Sequence, residues 1–487
     1  MNYKNLSIID IHNKLKYKEI SVKELVDNTY KNLQAHFENN FLVTLIENKM
    51  SEFDLQNLFD ENNLLSAIPY VTKDNISTKN ILTTAGSKIL SNYIPSFDAT
   101  ITKQLESNKC ILLGKATLDE LGMGGTGLFG FNGEVRHPLD NSRIVGGSSS
   151  GSAYAVSAGL VPFSTGTDTG DSIRKPASFN GIVGFKPTYG SISRFGVIPY
   201  APSLDHVGFF TRTVDDAAIL SDATFEYDKN DFTSFNNKKE YYKNINGLNK
   251  KIKFGFLKPV WKYMNEDLKN KYQELFNQIK KDDNEIILID FDETLLKTIP
   301  AIYMMISFSE GVSTHSNLDG INFGIREEGK DYIEIMKKTR TKNFGKTVKK
   351  RFTIGSYQLK KENQEEILNR SKKVRRIFIE KTNELFDLID ILILPPSFEP
   401  APTVKNVLGT DVEDRKDYEG SWIEDVLEIA NFNGMPSITI PFIKKENLPI
   451  GINLNAKPKE DLLVLQAAKY LENLIKANNF EGGELSE

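Results

Sequence analysis

Apolar positions along the chain fall into short β-like runs separated by stretches with helical spacing. Ser21-Val22-Lys23-Glu24 carries a capping box, and a helix through Val26, Tyr30 and Leu33 is expected behind it. Residues 41–47 read as a strand, 51–63 as a polar helix, and the run from Ile68 as a strand that ends in Lys73-Asp74-Asn75. Thr100–Asn108 has helical spacing, Cys110–Gly114 is apolar and β-rich, and Ala116–Gly122 turns helical again. Alternation of this kind predicts an α/β sheet layered between helices.

The middle of the chain departs from that rhythm. Two Ser/Gly-rich turns, Gly146–Ser152 and Gly166–Ser172, flank a small-residue apolar run, Ala153–Phe163. Glycines let main-chain N–H groups approach a ligand. The small residues Ala153, Ala155, Val156, Ala158 and Gly159 suit a closely packed buried helix that fixes one turn against the other. Flexible linkers do not usually enclose an apolar segment, so this stretch is the expected catalytic core. Beyond it, Gly181–Lys186 and Ile198 read as strands, Thr213–Leu220 as a helix behind a Thr cap, and 226–251 as an exposed loop. Ile252–Leu257, Ile286–Phe291 and Ile389–Leu394 are strand candidates, with a helix from about Asn265 to Lys281. No repeat or linker divides the chain, so residues 1–480 read as one domain and 481–487 as a polar tail.

Composition bounds the function without naming it. With 39% hydrophobic and 26% charged residues among 487, the chain has the make-up of an ordinary soluble globular protein. A net charge of -4 and a pI near 6.0 argue against a whole-surface nucleic-acid binder. A single cysteine, Cys110, excludes an internal disulfide and fits a reducing compartment, and its apolar setting predicts a buried structural thiol. The N-terminus lacks the apolar core of a signal peptide, and no apolar run approaches the ~20 residues of a bilayer span. A cytoplasmic protein is expected.

Three patterns carry candidate chemistry. Gly147-Ser148-Ser149-Ser150-Gly151 fits the G-x-S-x-G nucleophile elbow with Ser149 at its centre, and His206 and His315 follow in the required order. No obvious strand precedes it, however, and Ser/Gly repeats match that motif by chance. Gly122–Gly127 fits G-x-G-x-x-G but follows a helical stretch, which argues against a dinucleotide site. Without a Walker loop, an H-E-x-x-H motif or a Cys/His cluster, no metal site is expected. The third pattern is a serine activated by a neutral lysine. A free lysine has a pKa of roughly 10.4, so burial or neighbouring donors must bring it down. Lys73, at the end of an apolar strand, sits where sheet edges present catalytic groups, although a single lysine is more often a surface group with its stem on apolar side chains.

Lys73-Asp74-Asn75, Gly146-Gly147-Ser148-Ser149 and Thr167-Asp168-Thr169-Gly170-Asp171-Ser172-Ile173-Arg174, continued through Pro176, Gly181, Gly184, Lys186 and Pro187, resemble the amidase signature family. The likeness runs over nearly the whole chain and is densest from Pro69 to Leu220. It implies a single α/β/α sandwich with a large mixed β-sheet covered by helices, and amide hydrolysis by a Ser–Ser–Lys triad. Lys73 would be the base, Ser172 the nucleophile, and Ser148, in a cis peptide linkage, would pass the proton between them. Backbone N–H groups of Thr169, Gly170, Asp171 and Ser172 would hold the oxyanion, a contribution of ~2.7–4 kcal/mol per donor. Within the family, K-P-T-Y-G-S-I-S-R-F-G, S-L-D-H-V-G-F-F-T-R-T-V-D-D-A and V-K-K-R-F-T-I-G-S-Y are similar to the glutamine-hydrolysing subunits of tRNA-dependent amidotransferases. That likeness implies Arg351 on the α-carboxylate of glutamine, Asp425 on its α-ammonium with Glu424 as the competing candidate, and Tyr303 walling the pocket. It also implies no cofactor in this chain, with ATP and magnesium at a partner subunit that binds the tRNA. A small third subunit is left open.

Two positions depart from the family pattern: Asp171 and Ser150 each replace a usual Gly. A carboxylate beside the oxyanion hole opposes developing negative charge unless it points away or is paired, with Arg174 as the expected partner. Asp also tolerates a positive φ if the position demands one. The intact triad argues for an active enzyme. Two rival readings stand beside this one. A stand-alone amidase for small amides would not need the opposite charges of Arg351 and Asp425. A catalytically weak RNA-binding or scaffolding subunit is suggested by the basic stretches Lys337–Arg351 and Lys372–Arg376.

Overall fold

In the computed structural model, which describes residues 2–47, 50–248, 250–409 and 421–480, the β-rich apolar runs become strands of one sheet. The tail 481–487 lies outside the described residues. In chain order the strands are β1 (Leu42–Leu45), β2 (Pro69–Lys73), β3 (Ile111–Ala116), β4 (Phe163–Asp168), β5 (Val183–Lys186), β6 (His206–Thr211), β7 (Lys253–Leu257), β8 (Glu285–Ile289), β9 (Ile391–Leu394), β10 (Ser437–Lys445) and β11 (Leu448–Asn455). Among the described residues they form an eleven-stranded mixed sheet in the order β1-β3-β2-β4-β6-β5-β10-β11-β9-β7-β8. β2 runs parallel to β3 and β4, whereas β4 pairs antiparallel with β6. β2, β4 and β11 are buried along their whole length. Strands covered on both faces need no polar alternation, and these have little. The helices pack against this sheet and against one another, which gives the expected α/β architecture.

The capping box of Ser21 forms as read, and the Thr213 cap proves to be a capping box with Asp216, each opening its helix. Other elements shift for local reasons. The small-residue run is not one helix. The helix is Ser150–Ser157, buried on every side, and the chain re-enters the sheet at Phe163, so Gly166–Asp168 of the expected second turn belong to β4. Ala116–Gly122 is not a helix either: β3 runs to Ala116, and a 3₁₀ turn, Glu120–Gly122, follows with Leu121 at φ 55°. Ile198 lies outside any strand, next to a lone bridge between Val197 and Ile76. The segment 226–251 has no helix or strand among its described residues, but it is packed down, with Asn237, Tyr241 and Ile245 buried. Cys110 stands just before β3 and is half-buried, its Sγ 3.5 Å from the Leu65 carbonyl. Pattern reading misses β6, β10 and β11, and the helices Ile299–Thr314, Lys346–Gln358, Arg370–Leu385 and Asp461–Ala477. Among the described residues, no helix is long and apolar enough to cross a membrane.

Candidate active site

Parallel pairing of β2 with β4 sets their C-terminal ends side by side, with Thr72 opposite Thr165. Lys73, the last residue of β2, therefore meets Thr167 near the end of β4. The helix Ser150–Ser157 packs on both strands and brings the residues that precede it, Gly147-Ser148-Ser149, to the same point. Lys73 Nζ lies 2.9 Å from Ser148 Oγ, 2.8 Å from Ser149 Oγ, 2.8 Å from Thr167 Oγ1 and 3.2 Å from the Thr167 carbonyl. These neighbours are hydroxyls and a carbonyl, not carboxylates. Lys73 is fully buried, and burial brings its pKa down to about 7 against the opposing pull of Asp119, Asp168 and Asp205.

The Gly147–Ser148 peptide is cis. A side chain at Gly147 has no room: a Cβ there would fall 2.1 Å from Asp119 Oδ2 and 2.9 Å from the amides of Thr126 and Gly127. Asp119 accepts hydrogen bonds from the amides of Thr126 (3.1 Å), Gly127 (3.0 Å) and Phe129 (3.0 Å). The glycine-rich run 122–127 is therefore a clasp around a buried carboxyl that backs the Ser148 turn.

The turn Thr169-Gly170-Asp171-Ser172 joins β4 to the helix Arg174–Asn180, with Ser172 4% exposed. Arg174, fully buried, holds this turn. Its guanidinium donates to both oxygens of Asp168 (3.1 and 3.0 Å), to the Gly170 carbonyl (2.5 Å) and to Asn431 Oδ1 (2.6 Å). Burial pushes the Asp168 carboxyl up, but Arg174 and the Asn431 amide outweigh it and hold the group well below the carboxylate range. Thr169 Oγ1 donates to Asp205 Oδ1 (2.6 Å). Among the described residues, the amides of Ile173 and Lys175 donate to Asp168 Oδ2 and to the Asp171 carbonyl, whereas those of Thr169, Gly170, Asp171 and Ser172 have no acceptor. Asp171 has no positive φ and is not paired with Arg174, which Asp168 already occupies. It pairs with Lys175 instead, Nζ to Oδ2 at 3.1 Å.

The expected substrate-binding residues come from three distant segments. Tyr303, on the helix Ile299–Thr314, lies against Gly170, its ring atoms 3.0 Å from where a Cβ would stand, so a side chain here would press on the ring. Arg351, on the helix Lys346–Gln358, turns inward. Its Nη1 donates to the Tyr200 hydroxyl (3.1 Å), and its guanidinium sits 5.1 Å from the centre of the Phe308 ring. The Tyr200 amide in turn donates to Asp205, which joins Arg351 to the Thr169 anchor. Asp425 lies half-buried in the turn Ser421–Glu428 and acts electrostatically on Lys175 together with Asp171 and Glu424. Glu424 engages Lys175 through its carbonyl (2.5 Å) and, at 3.8 Å, its carboxylate.

Two arginines of the basic stretches are structural, while Lys337, Lys342, Lys346, Lys350, Lys372, Lys373 and Arg376 are exposed. Arg340 packs over Phe344 and Phe352, and Arg375 donates to Ser203 and to the Phe432 carbonyl. The elbow reading fails because Ser149 faces Lys73, while His206 bonds the Leu204 carbonyl (2.7 Å) and His315 packs on Phe352. A cavity of about 350 Å³ opens beside Thr167 and Thr169, walled by Asn75, Tyr200, Asp205 and His206. Sequence reading does not single out Asp119, Asp205, Asn431 or Lys175. Only Asp119 carries a local signal, an acid followed by a glycine-rich run whose amides need an acceptor.

A sequence model of the family described as Amidase matches residues 24–465. The chain is 40% identical to the A subunit of glutamyl-tRNA(Gln) amidotransferase from Mycoplasma genitalium, over 97% of this chain and 99% of that protein. It is 35% identical to the protein of the same name from Pediococcus pentosaceus, over 97% of each. The crystal structure of the corresponding glutamyl-tRNA(Gln) amidotransferase protein from Thermotoga maritima superimposes with a TM-score of 0.76 at 29% identity, covering 97% of this chain and 95% of that one.

Proposed function

The chain belongs to the amidase family, and on that premise we propose that it is the glutamine-hydrolysing subunit of a glutamyl-tRNA(Gln) amidotransferase. Full-length similarity to proteins named for that enzyme supports the choice within the family. The observation that carries the chemistry is Lys73, an amine buried among hydroxyls with a pKa of about 7.

A neutral amine offers two N–H donors and one lone pair. The Thr167 carbonyl only accepts, and Ser149 donates its own proton to that carbonyl (3.0 Å), so both take N–H bonds from Lys73. The lone pair is left to the hydroxyls of Ser148 and Thr167, either of which can donate to it, and Thr167 Oγ1 also accepts from Asn75 (3.1 Å). Ser148 then donates to Lys73 and takes the proton of Ser172, whose Oγ attacks the side-chain amide carbon of glutamine. The oxyanion of the tetrahedral adduct rests on the amides of residues 169–172. On collapse the C–N bond breaks, and the proton returns from Lys73 through Ser148 to the departing nitrogen as ammonia. Water hydrolyses the remaining ester by the same route, releasing glutamate. Arg351 binds the α-carboxylate, Asp425 the α-ammonium, and Tyr303 closes the pocket.

As the glutaminase component, the chain works within a multi-subunit amidotransferase in the cytoplasm. Its ammonia goes to a larger-task partner, the transamidating subunit, which binds Glu-tRNA(Gln), ATP and magnesium. A small third subunit is compatible with this division. The test is ammonia release from glutamine, with and without the transamidating partner, against Ser172→Ala. Release should require Ser172 and rise with the partner, and external ammonia should still support transamidation by the Ser172→Ala complex. Turnover of simple amides without glutamine would indicate a stand-alone amidase. Loss of the ammonia-dependent reaction in a folded Ser172→Ala complex would overturn the division of labour.

A further inference from the structure

A cluster of charged side chains lies where the nucleophile turn meets the turn Ser421–Glu428. Glu428 is 6% exposed, and its Oε2 has no hydrogen-bond partner among the described residues. Asp425 from its own turn, and Asp171, Arg174 and Lys175 from the opposite side, act on it electrostatically. Tyr303, whose ring lies against Gly170, feels both Glu428 and Asp171. The cluster therefore adjoins the turn that carries Ser172. Arg174 is committed to Asp168 at 3.0 Å, and among the described residues Asp171, Glu424 and Asp425 all act on Lys175.

A buried carboxyl oxygen without a partner is costly. Burial, with Asp425 and Asp171 adding like charge, pushes the Glu428 carboxyl well above its ordinary range. A primary ammonium would correct both defects, because it brings three N–H donors and one positive charge.

We propose that Glu428 and Asp171 join Asp425 in a three-carboxylate subsite for the α-ammonium of the substrate, with Lys175 as the internal cation that balances it. The proposal rests on the glutamine reading above. It gives Asp171 a role in specificity, and Lys175 draws its carboxylate aside. It extends recognition to a residue, Glu428, that the sequence pattern does not single out.

The experiment compares glutamine with 4-carbamoylbutanoate, which keeps the amide and carboxylate but lacks the ammonium. Both are assayed with the full chain and its partner subunit in wild type, Glu428→Gln and Asp171→Asn. Glu428→Gln should lower kcat/KM for glutamine about tenfold or more, mainly through KM, and lower it far less for the analogue. Asp171→Asn should act in the same direction. Equal losses on both substrates, or no loss on glutamine, would overturn the subsite. A wild type that turns over the analogue as well as glutamine would overturn the glutamine reading itself, and the subsite with it. Should Glu428→Gln fail to fold, Asp171→Asn decides alone, since that side chain is partly exposed at 21% and its replacement leaves the core intact.

Discussion

Replacing Lys73 by methionine, similar in length and apolar, removes the amine while keeping the stem packed. The folded-state amine titrates at about 7, against an ordinary value of 10.5. Between those values the unfolded chain binds a proton that the folded chain does not, so unfolding free energy rises with pH across the window. The slope is about 1.4 kcal/mol per pH unit, which gives about 5 kcal/mol over the whole window and about 2.7 kcal/mol between pH 7 and 9. Below pH 7 both states are protonated, and this contribution is flat at its least favourable value. Lys73→Met lacks it at every pH. The variant also loses the amine's bonds to Ser148, Ser149 and Thr167, each worth on the order of 1 kcal/mol, but that loss does not vary with pH. Urea unfolding of both proteins at pH 7, 8 and 9 should therefore show their difference moving in favour of wild type by about 1.4 kcal/mol per unit. The same group sets activity: kcat/KM for glutamine should climb with pH to about 7 and then level off. A stability difference independent of pH, together with activity flat from pH 5.5 to 8.5, would refute a neutral lysine base.

Two further substitutions test the scaffold and the pocket. Gly147→Ala drives a methyl against Asp119 and the amides of Thr126 and Gly127, and should cost about 1–3 kcal/mol in thermal unfolding and most of the glutaminase activity. Arg351→Lys replaces a planar cation stacked on Phe308 by a point charge, and should raise KM for glutamine about tenfold or more with little change in kcat, read from steady-state kinetics.

The parts of this protein that were legible in its sequence are those governed by neighbours a few residues apart. The capping box of Ser21, the Thr213 cap and the strand ending at Lys73 are local matters of propensity and hydrogen bonding. The serine- and glycine-rich stretch was legible for a different reason, its resemblance to a family motif. Part of what escaped had been erased by burial on all sides. The helix Ser150–Ser157 is buried on every side and the expected turn at Gly166 is a strand with both faces covered, so the bounds of the one and the existence of the other leave no periodic trace.

The sequence by itself determined which residues stand beside one another: the serine and lysine motifs, the alternation of strands and helices, and Asp171 next to the expected nucleophile. Only the tertiary structure decided their chemical state. Lys73 meets Ser148 across 75 positions of chain, and Asp168 meets Asn431 across 263. Those long-range contacts exclude water around the amine, and they surround the ion pairs Arg174–Asp168 and Lys175–Asp171, whose partners lie within six positions of each other. A pKa or an ion pair depends on dielectric surroundings and distance. In this chain the burial that sets the Lys73 amine comes from segments that only folding brings together.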